Sequence, residues 1–460
     1  MASSFGSINT ALTSLYAQRR ALDVTGQNIA NANTEGYTRQ RVEMQSQVGS
    51  ISAAMYAKTD GLGTGVGVSD VQRMRDEYLE NRGRAEHANS SYMTNQTAAY
   101  SSIEDTFAEP GDTALQAQLH DMWGGWSDVA NNTKDLAARS ALLEQSSTVA
   151  DGLNSAHNQL AGQWGQNRKS LDAYVDDVNT TAKNVAQLND SIVKAKASGI
   201  TVNELEDQRD LQVMKLSQLT GASASKRQNG AMDVFVGNST LVSEFTTRNL
   251  EVSGAARMDD QKTDPMTLRW ADTKTPVKAG GTMGAMADTM TTIIPAISDE
   301  LDKVAANLAN TVNAAHSAGF GLDGSTGQNF FSGTTAGTIT VAVTDPAQIA
   351  ASGAPGTLDN TVADSLADTG TTSTGPDADY QNMIAQLGVA AQASSRRTEI
   401  QATVTEQVDG ARESQSGVNL DEEMTNLLTY QRGYEAASRV LTTVDSMLDQ
   451  LINRTGLVGR

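Results

Sequence analysis

The carboxyl end constrains this chain more than any other stretch. Leu420, Leu427, Tyr434, Leu441 and Leu448 are spaced seven residues apart, with Tyr430, Ala437, Val444 and Leu451 three residues after each of the last four. A seven-residue apolar repeat wraps a narrow stripe around an α-helix, and such a stripe is stable only when another helix covers it. At the amino end Ile8, Leu15, Leu22 and Ile29 fall at the same interval, with Leu12 on the complementary track that Arg19 and Gly26 interrupt. The economical solution pairs the first helix with the last, so that the chain leaves and returns along one axis. Ile8, Leu12, Leu15, Leu22, Ile29, Leu420, Leu427, Tyr434, Leu441 and Leu448 are therefore the candidate assembly interface, with ends that order fully only when neighbours stack on them. Asn419 reads as the cap of the last helix. Asp421, Glu422 and Glu423 suit its positive first turn, which accounts for the acidic cluster without a metal.

Between the ends, Met74 to Leu219 is helical in pattern. Trp164, Leu171, Val178, Val185 and Ile192 recur every seven residues, beside a second track of Leu153, Leu160, Tyr174 and Leu188. A helix over 137–197 would be about 90 Å long. Asn203 to Glu206 reads as a capping box opening the returning helix, which stops at Gly221. From Ala222 to Gly281 the period shortens to two, with Gln228-Asn229-Gly230 as a hairpin turn. Helix returns at Met283 and ends at Gly319. Phe320 to Asp379 is rich in Gly, Thr, Ser and Asp, carries one strand at Thr338–Val343, and is expected to complete the β module in space. Helix resumes from Asp379 to Glu413.

The expected fold is mainly α with a β-rich insert: a terminal α-helical coiled coil, a long helical-bundle domain and a small discontinuous β domain. The expected segments are a coiled-coil helix and extended arm over 1–60, bundle over 61–220, 282–319 and 379–415, β-rich outer domain over 221–281 and 320–378, and the closing coiled-coil helix over 416–460.

Chemistry is scarce. The chain of 460 residues has no cysteine, which removes disulfides, thiolate metal sites and cysteine nucleophiles. With 34 basic against 54 acidic residues and a net charge of −20, its surface repels nucleic acid and anionic lipid. No apolar run has membrane-spanning length, and the first residues carry no cleaved-signal pattern. His87, His120, His157 and His316 are scattered and read as helix-surface residues, while Trp123 and Trp126 read as core anchors. Gly61, Gly63, Gly65 and Gly67 alternate as in a packed strand, and no Lys-Ser/Thr follows them as a phosphate loop would need. Catalytic, cofactor-binding and metal sites are each expected to be none.

The segment from Ala21 to Arg39, containing Gly26-Gln27-Asn28-Ile29-Ala30-Asn31-Ala32-Asn33-Thr34-Glu35-Gly36-Tyr37-Thr38-Arg39, resembles the amino-terminal signature of the axial proteins of the bacterial flagellum. Ser416 to Met424, running on through Tyr430-Gln431-Arg432-Gly433-Tyr434, is similar to the hook-associated protein 1 family at the hook-filament junction. Asn131 to Leu143 and Leu205 to Asp210 resemble that family's helical domain. The resemblance implies a structural subunit, secreted through the flagellar type III apparatus without a cleaved signal and polymerised outside the cell at the junction. Implied partners are the chain itself, the hook protein, the second junction protein and a dedicated export chaperone at the C-terminal helix. Asn28, Asn31, Gly36 and Tyr37 would form the elbow between inner helix and outer domains. Two other readings stand beside this one: a hook or distal rod subunit, which shares the amino-terminal signature, and a secreted adhesin or enzyme using the β module.

Overall fold

A computed structural model describes residues 4–47 and 63–454. The outer part of the expected arm, Gly61 of the alternating glycines and the last residues of the closing segment lie outside the described residues.

The first helix, α1 (Ser4–Ala30), is followed by an antiparallel hairpin, β1 (Gln40–Gln47) and β2 (Gly65–Arg73), with an irregularity in register at Glu43/Met44. Next come α2 (Glu77–Phe107), capped by Asp76, and α3 (Leu115–Asn131). The axis of the molecule is α4 (Leu136–Ala197), 62 residues that Asp135 caps by accepting from Ala137 N–H. At 1.5 Å per residue it is about 90 Å long. Its heptad positions Leu153, Leu160, Trp164, Leu171, Val178, Val185 and Ile192 are all buried. α5 (Asn203–Thr220) folds back on it, and Gly221 ends α5 in the left-handed region at φ 70°. There the backbone crosses that of Gly280 and Gly281. A Cβ on Gly281 would lie 2.2 Å from the Gln218 carbonyl oxygen, so only glycine lets the two segments pass.

The β region over 223–270 holds a four-stranded antiparallel sheet in chain order, β3 (Ser223–Lys226), β4 (Met232–Val236), β5 (Ser239–Ser243) and β6 (Thr246–Thr247). A separate pair follows, β7 (Leu250–Ser253) with β8 (Thr267–Trp270). The helix that returns is interrupted: α6 (Gly281–Asp288), a π-turn over Thr289–Ile293, then α7 (Ile294–Ala318). Pro295 has no N–H to give the preceding turn, and the buried Trp164 indole donates to the Met290 carbonyl at 2.9 Å, filling part of that gap. The chain then forms β9 (Phe331–Ser332) and β10 (Thr340–Val341), α8 (Thr361–Thr369), α9 (Pro376–Ser416) and α10 (Leu420–Asp449). α2 packs along α9, and α1 along α10.

Three expectations need correction. Residues 320–378 do not complete the earlier β module: β9 and β10 pair only with each other, and the strand expected over Thr338–Val343 shrinks to two residues. They dock near Asn154, which donates to the Ile339 carbonyl, whereas the first sheets dock at Asn179 and Asn189 further along α4. Asn203 does not cap α5. It is the first helical residue, and its amide donates to Val71 O at 2.8 Å and Gln40 Oε1 at 3.0 Å, tying α5 to the hairpin. His316 is not on the surface: it is buried, with Nδ1 2.8 Å from Gln328 O and Nε2 accepting from Ala350 N–H at 3.0 Å. Burial pushes its pKa down, which suits the neutral ring that this pair of bonds needs.

One device recurs at four places where a strand meets a helix. The Asn189 amide accepts from Met232 N–H at 3.0 Å and donates to Met232 C=O at 2.8 Å, satisfying both backbone groups of one strand residue. Asn179 does the same to Leu250, Asn313 to Phe331 and Asn28 to Gln40. A side-chain amide carries the donor and acceptor of a peptide group, so an asparagine on a helix serves as one residue of a neighbouring strand. Asn189→Leu keeps the branched outline of the side chain, strands both buried backbone groups of Met232 and leaves Glu244 C=O and Arg209 one partner short, and is expected to cost about 2–4 kcal/mol in denaturant unfolding. A loss below the error of the measurement would show that water replaces the amide.

Candidate functional site

Two connected sets of side chains hold the terminal helices to the rest of the chain. The first joins the chain ends. Asn28 on α1, already bonded to both backbone groups of Gln40, also donates to Glu423 Oε2 on α10 at 3.1 Å and accepts from Tyr37 Oη–H at 2.8 Å. Arg39 donates through Nε to Glu423 Oε1 at 2.8 Å and through Nη1 to Glu422 Oε2 at 2.7 Å, and its N–H donates to the Ser416 carbonyl. Asn419 caps α10 by accepting from the Asp421 and Glu422 N–H groups. Around this latch Ala21, Val24, Val42 and Val71 form a small core against Met44 and Tyr430. Burial, and then the charges of Asp207, Glu204 and Glu423, raise the Tyr37 hydroxyl pKa, so it stays protonated and donating.

The second set fixes the hairpin to the bundle. Arg73, at the end of β2, reaches three carboxylates of α5: Glu206 at 2.7 Å, Asp207 at 2.8 Å and Asp210 at 2.9 Å. Arg75 bridges Asp210 and Glu80, and Glu80 also accepts from Arg412 of α9 at 3.0 Å. Thr38 N–H donates to Asp207 at 3.0 Å. All four carboxylates are buried. Burial alone would raise their pKa values and does so for Asp207, but Arg412 and Arg75 hold Glu80 below its usual value, Arg75 and Arg73 do so for Asp210, and Arg73, Lys196 and Lys226 lower Glu206 to about 2.

A folded-state pKa depressed in this way gives stability that is fully present above the unfolded value near 4.5 and is lost as pH falls towards about 2. The hairpin amides of 65–73 are therefore expected to lose hydrogen-exchange protection, after correction for the intrinsic rate, between pH 4.5 and 2. Protection that stays flat through this window would remove the carboxylates from the account.

Of the expected interface residues, Ile8, Leu15, Leu22 and Ile29 lie half-buried at the margins of the α1 contact, and the deepest positions are Ala11, Ala17, Ala21, Val24, Thr25 and Asn28. Small side chains let α10 and the hairpin approach, and Gly433 of α10 sits against the Gln18 side chain. Leu427, Leu441 and Leu448 are half-buried along the seam with Tyr430, Ala437 and Val444, whereas Leu12, Leu420 and Tyr434 are exposed. At 100° per residue, Leu420, Met424 and Leu428 lie on one flank of the seam, and Val440 and Met447 on the other, all about half exposed. Of the elbow residues, Asn28 and Tyr37 meet in the latch. Gly36 takes φ +79° over Leu211, and among the described residues Asn31 bonds only within its own turn, to Gln27 and Thr34. Arg39, Gln40, Arg73, Arg75, Glu80, Glu206, Asp207, Asp210, Arg412 and the pairing role of Glu423 were not legible as a site from residue patterns. Among the described residues no group of side chains has metal-binding geometry, and no helix is long and apolar enough to cross a membrane.

Comparison with known proteins follows the same division. The family model described as the flagellar hook-associated protein FlgK helical domain matches residues 100–331. Models of the flagella basal body rod protein and of the flagellar basal body rod FlgEFG protein C-terminal match residues 8–38 and 411–454. Flagellar hook-associated protein 1 of Bacillus subtilis is 30% identical over an alignment of 507 residues that covers 100% of both chains. The Escherichia coli protein of that name is 30% identical over 70% of this chain and 59% of its own, and the Salmonella typhimurium protein 25% over 97% and 99%. The solved flagellar hook junction protein FlgK from Burkholderia pseudomallei superposes with a TM-score of 0.64 over 73% of this chain and 100% of that one. At 15% identity this is a likeness of fold.

Proposed function

The chain belongs to the flagellar hook-associated protein 1 family, and from that premise we propose that it acts as the structural adaptor at the hook-filament junction. The family is structural rather than enzymatic, and its members are subunits of the flagellum. Full-length identity to the Bacillus subtilis protein carries the reading. The geometry supports it: the paired terminal helices leave apolar flanks on α10 that a lone molecule does not cover, and a subunit that stacks on neighbours has use for them. Assembly proceeds through those terminal helices, with the hook protein on one side and the second junction protein on the other. The chain reaches the hook tip unfolded through the flagellar type III apparatus, and in the cytoplasm a dedicated chaperone covers the α10 stripe. The β regions along α4 face outward and do no chemistry.

Deletion of the gene in its own organism tests the reading. Complete hooks without filaments, with flagellin released into the medium, are expected. Missing hooks would make the chain a hook or rod subunit, and normal motile filaments would end the junction reading.

A further inference from the structure

On the bundle side of the joint, α2, the α4–α5 turn, α5 and β3 enclose a cleft of 580 Å³. Its lining includes Arg73, Arg75, Arg84, Lys196, Arg209 and Lys226, a concentration of basic groups in a chain where acids outnumber bases by 54 to 34. The buried carboxylates are already committed: Glu206 to Arg73, Lys196 and Lys226, Asp210 to Arg73 and Arg75, and Glu80 to Arg75 and Arg412.

Two guanidinium groups are only partly matched. Arg84 on α2 is 6% exposed; it donates to Asn81 one turn away at 2.8 Å, and among the described residues no carboxylate lies within ion-pair reach of it. Arg209 on α5 is 0% exposed. Its Nη1 donates to Gly230 O at 2.7 Å and Asn189 Oδ1 at 3.3 Å, its Nε forms a loose ion pair with Asp210 Oδ1 at 3.6 Å, and its Nη2 has no acceptor among the described residues. Asp70 and Glu77 also line the cleft, but both are exposed to solvent. A buried guanidinium whose donors are not all met is costly, and its planar fork matches the oxygens of an oxyanion.

We propose that this cleft binds a small inorganic oxyanion of the phosphate class, seated on Arg84 with Lys196 and Lys226 at the mouth and the fully buried Arg209 behind it. The anion supplies the acceptors that Arg84 lacks. Because its ligands come from α2, α4 and β3, it braces the bundle where the hairpin joins it, whatever the chain assembles with.

The test titrates the full chain with sodium phosphate, using sodium chloride at matched ionic strength as control, by calorimetry and by thermal melting. Saturable one-to-one binding and a phosphate-specific rise in melting temperature are expected. Arg84→Gln should weaken phosphate binding at least tenfold and melt no lower than the parent without phosphate, since it removes an unmatched buried charge. Lys226→Gln, at the half-exposed mouth, should weaken binding by about threefold, as a rim charge would. Equal responses to phosphate and chloride overturn the site, as does undiminished phosphate binding in Arg84→Gln. If Arg84→Gln does not fold, Lys226→Gln decides alone, and unchanged affinity in it overturns the site.

Discussion

With Asp210 replaced by alanine, strands β1 and β2 are expected to exchange their amide hydrogens two to three orders of magnitude faster than in the parent. The carboxylate of Asp210 accepts from Arg73 at 2.9 Å and from Arg75, and lies 3.6 Å from Arg209. Removing one partner of a buried pair costs about 3–5 kcal/mol, because the charge left behind can neither be solvated nor paired. Here one substitution exposes three arginines to that penalty, and Arg209 keeps only the Gly230 and Asn189 oxygens. Arg73 keeps Glu206 and Asp207, and Arg75 keeps Glu80, so the lower part of the range applies. Each 1.4 kcal/mol is a tenfold change in an opening equilibrium, which gives the expected acceleration. The effect should be local. The α4 amides beside Leu153 and Leu160 pack against α3 and the far end of the bundle, and should keep their protection. Unchanged exchange in the hairpin would mean that the α1–α10 latch, rather than the arginine–carboxylate set, holds it in place.

The helices were legible because their evidence is local. Heptads at Leu153, Leu160, Trp164, Leu171, Val178 and Val185 demand a covered stripe whatever covers it, and α4 begins and ends within a residue of the span read from them. The joint was not legible because its evidence is relational. Glu423 in an acidic first turn looks like any helix-dipole partner, and nothing near it announces Arg39, 384 positions away. Glu206 looked like the return arm of a capping box, yet it faces Arg73 across the chain. Asparagines at 179, 189 and 313 were indistinguishable from surface polar residues, and Asn28 was marked only by the resemblance, since their function depends on a strand edge arriving beside them. The error over 320–378 has the same root. A β-branched run announces a strand but not its partner, and here α4 is long enough for two β regions to dock at separate places along it.

The terminal coil separates folding from assembly, so substitutions on its two kinds of surface should have opposite phenotypes. Ala437 is 8% exposed and faces α1, and Ala437→Glu buries a charge in the seam. The isolated protein should then lose α1–α10 pairing, visible as rapid proteolysis of both ends. Met424→Glu with Leu428→Glu, or Met447→Glu, changes exposed side chains on the flanks, which are 51%, 51% and 57% exposed in the single chain. Exposed substitutions of this kind usually alter stability by less than about 0.5 kcal/mol, so the purified variants should melt with the parent. In cells they should nevertheless leave hooks without filaments, because on the proposed assembly a carboxylate on the flank must be desolvated against a neighbouring subunit. The two flanks need not be equivalent: a neighbour on each side of α10 requires both, whereas a single neighbour makes one dispensable. Normal filaments from both flank variants would show that the exposed stripe is not the stacking surface and would shift assembly to the outer domains. Failure of one flank alone identifies the side on which the neighbouring subunit sits.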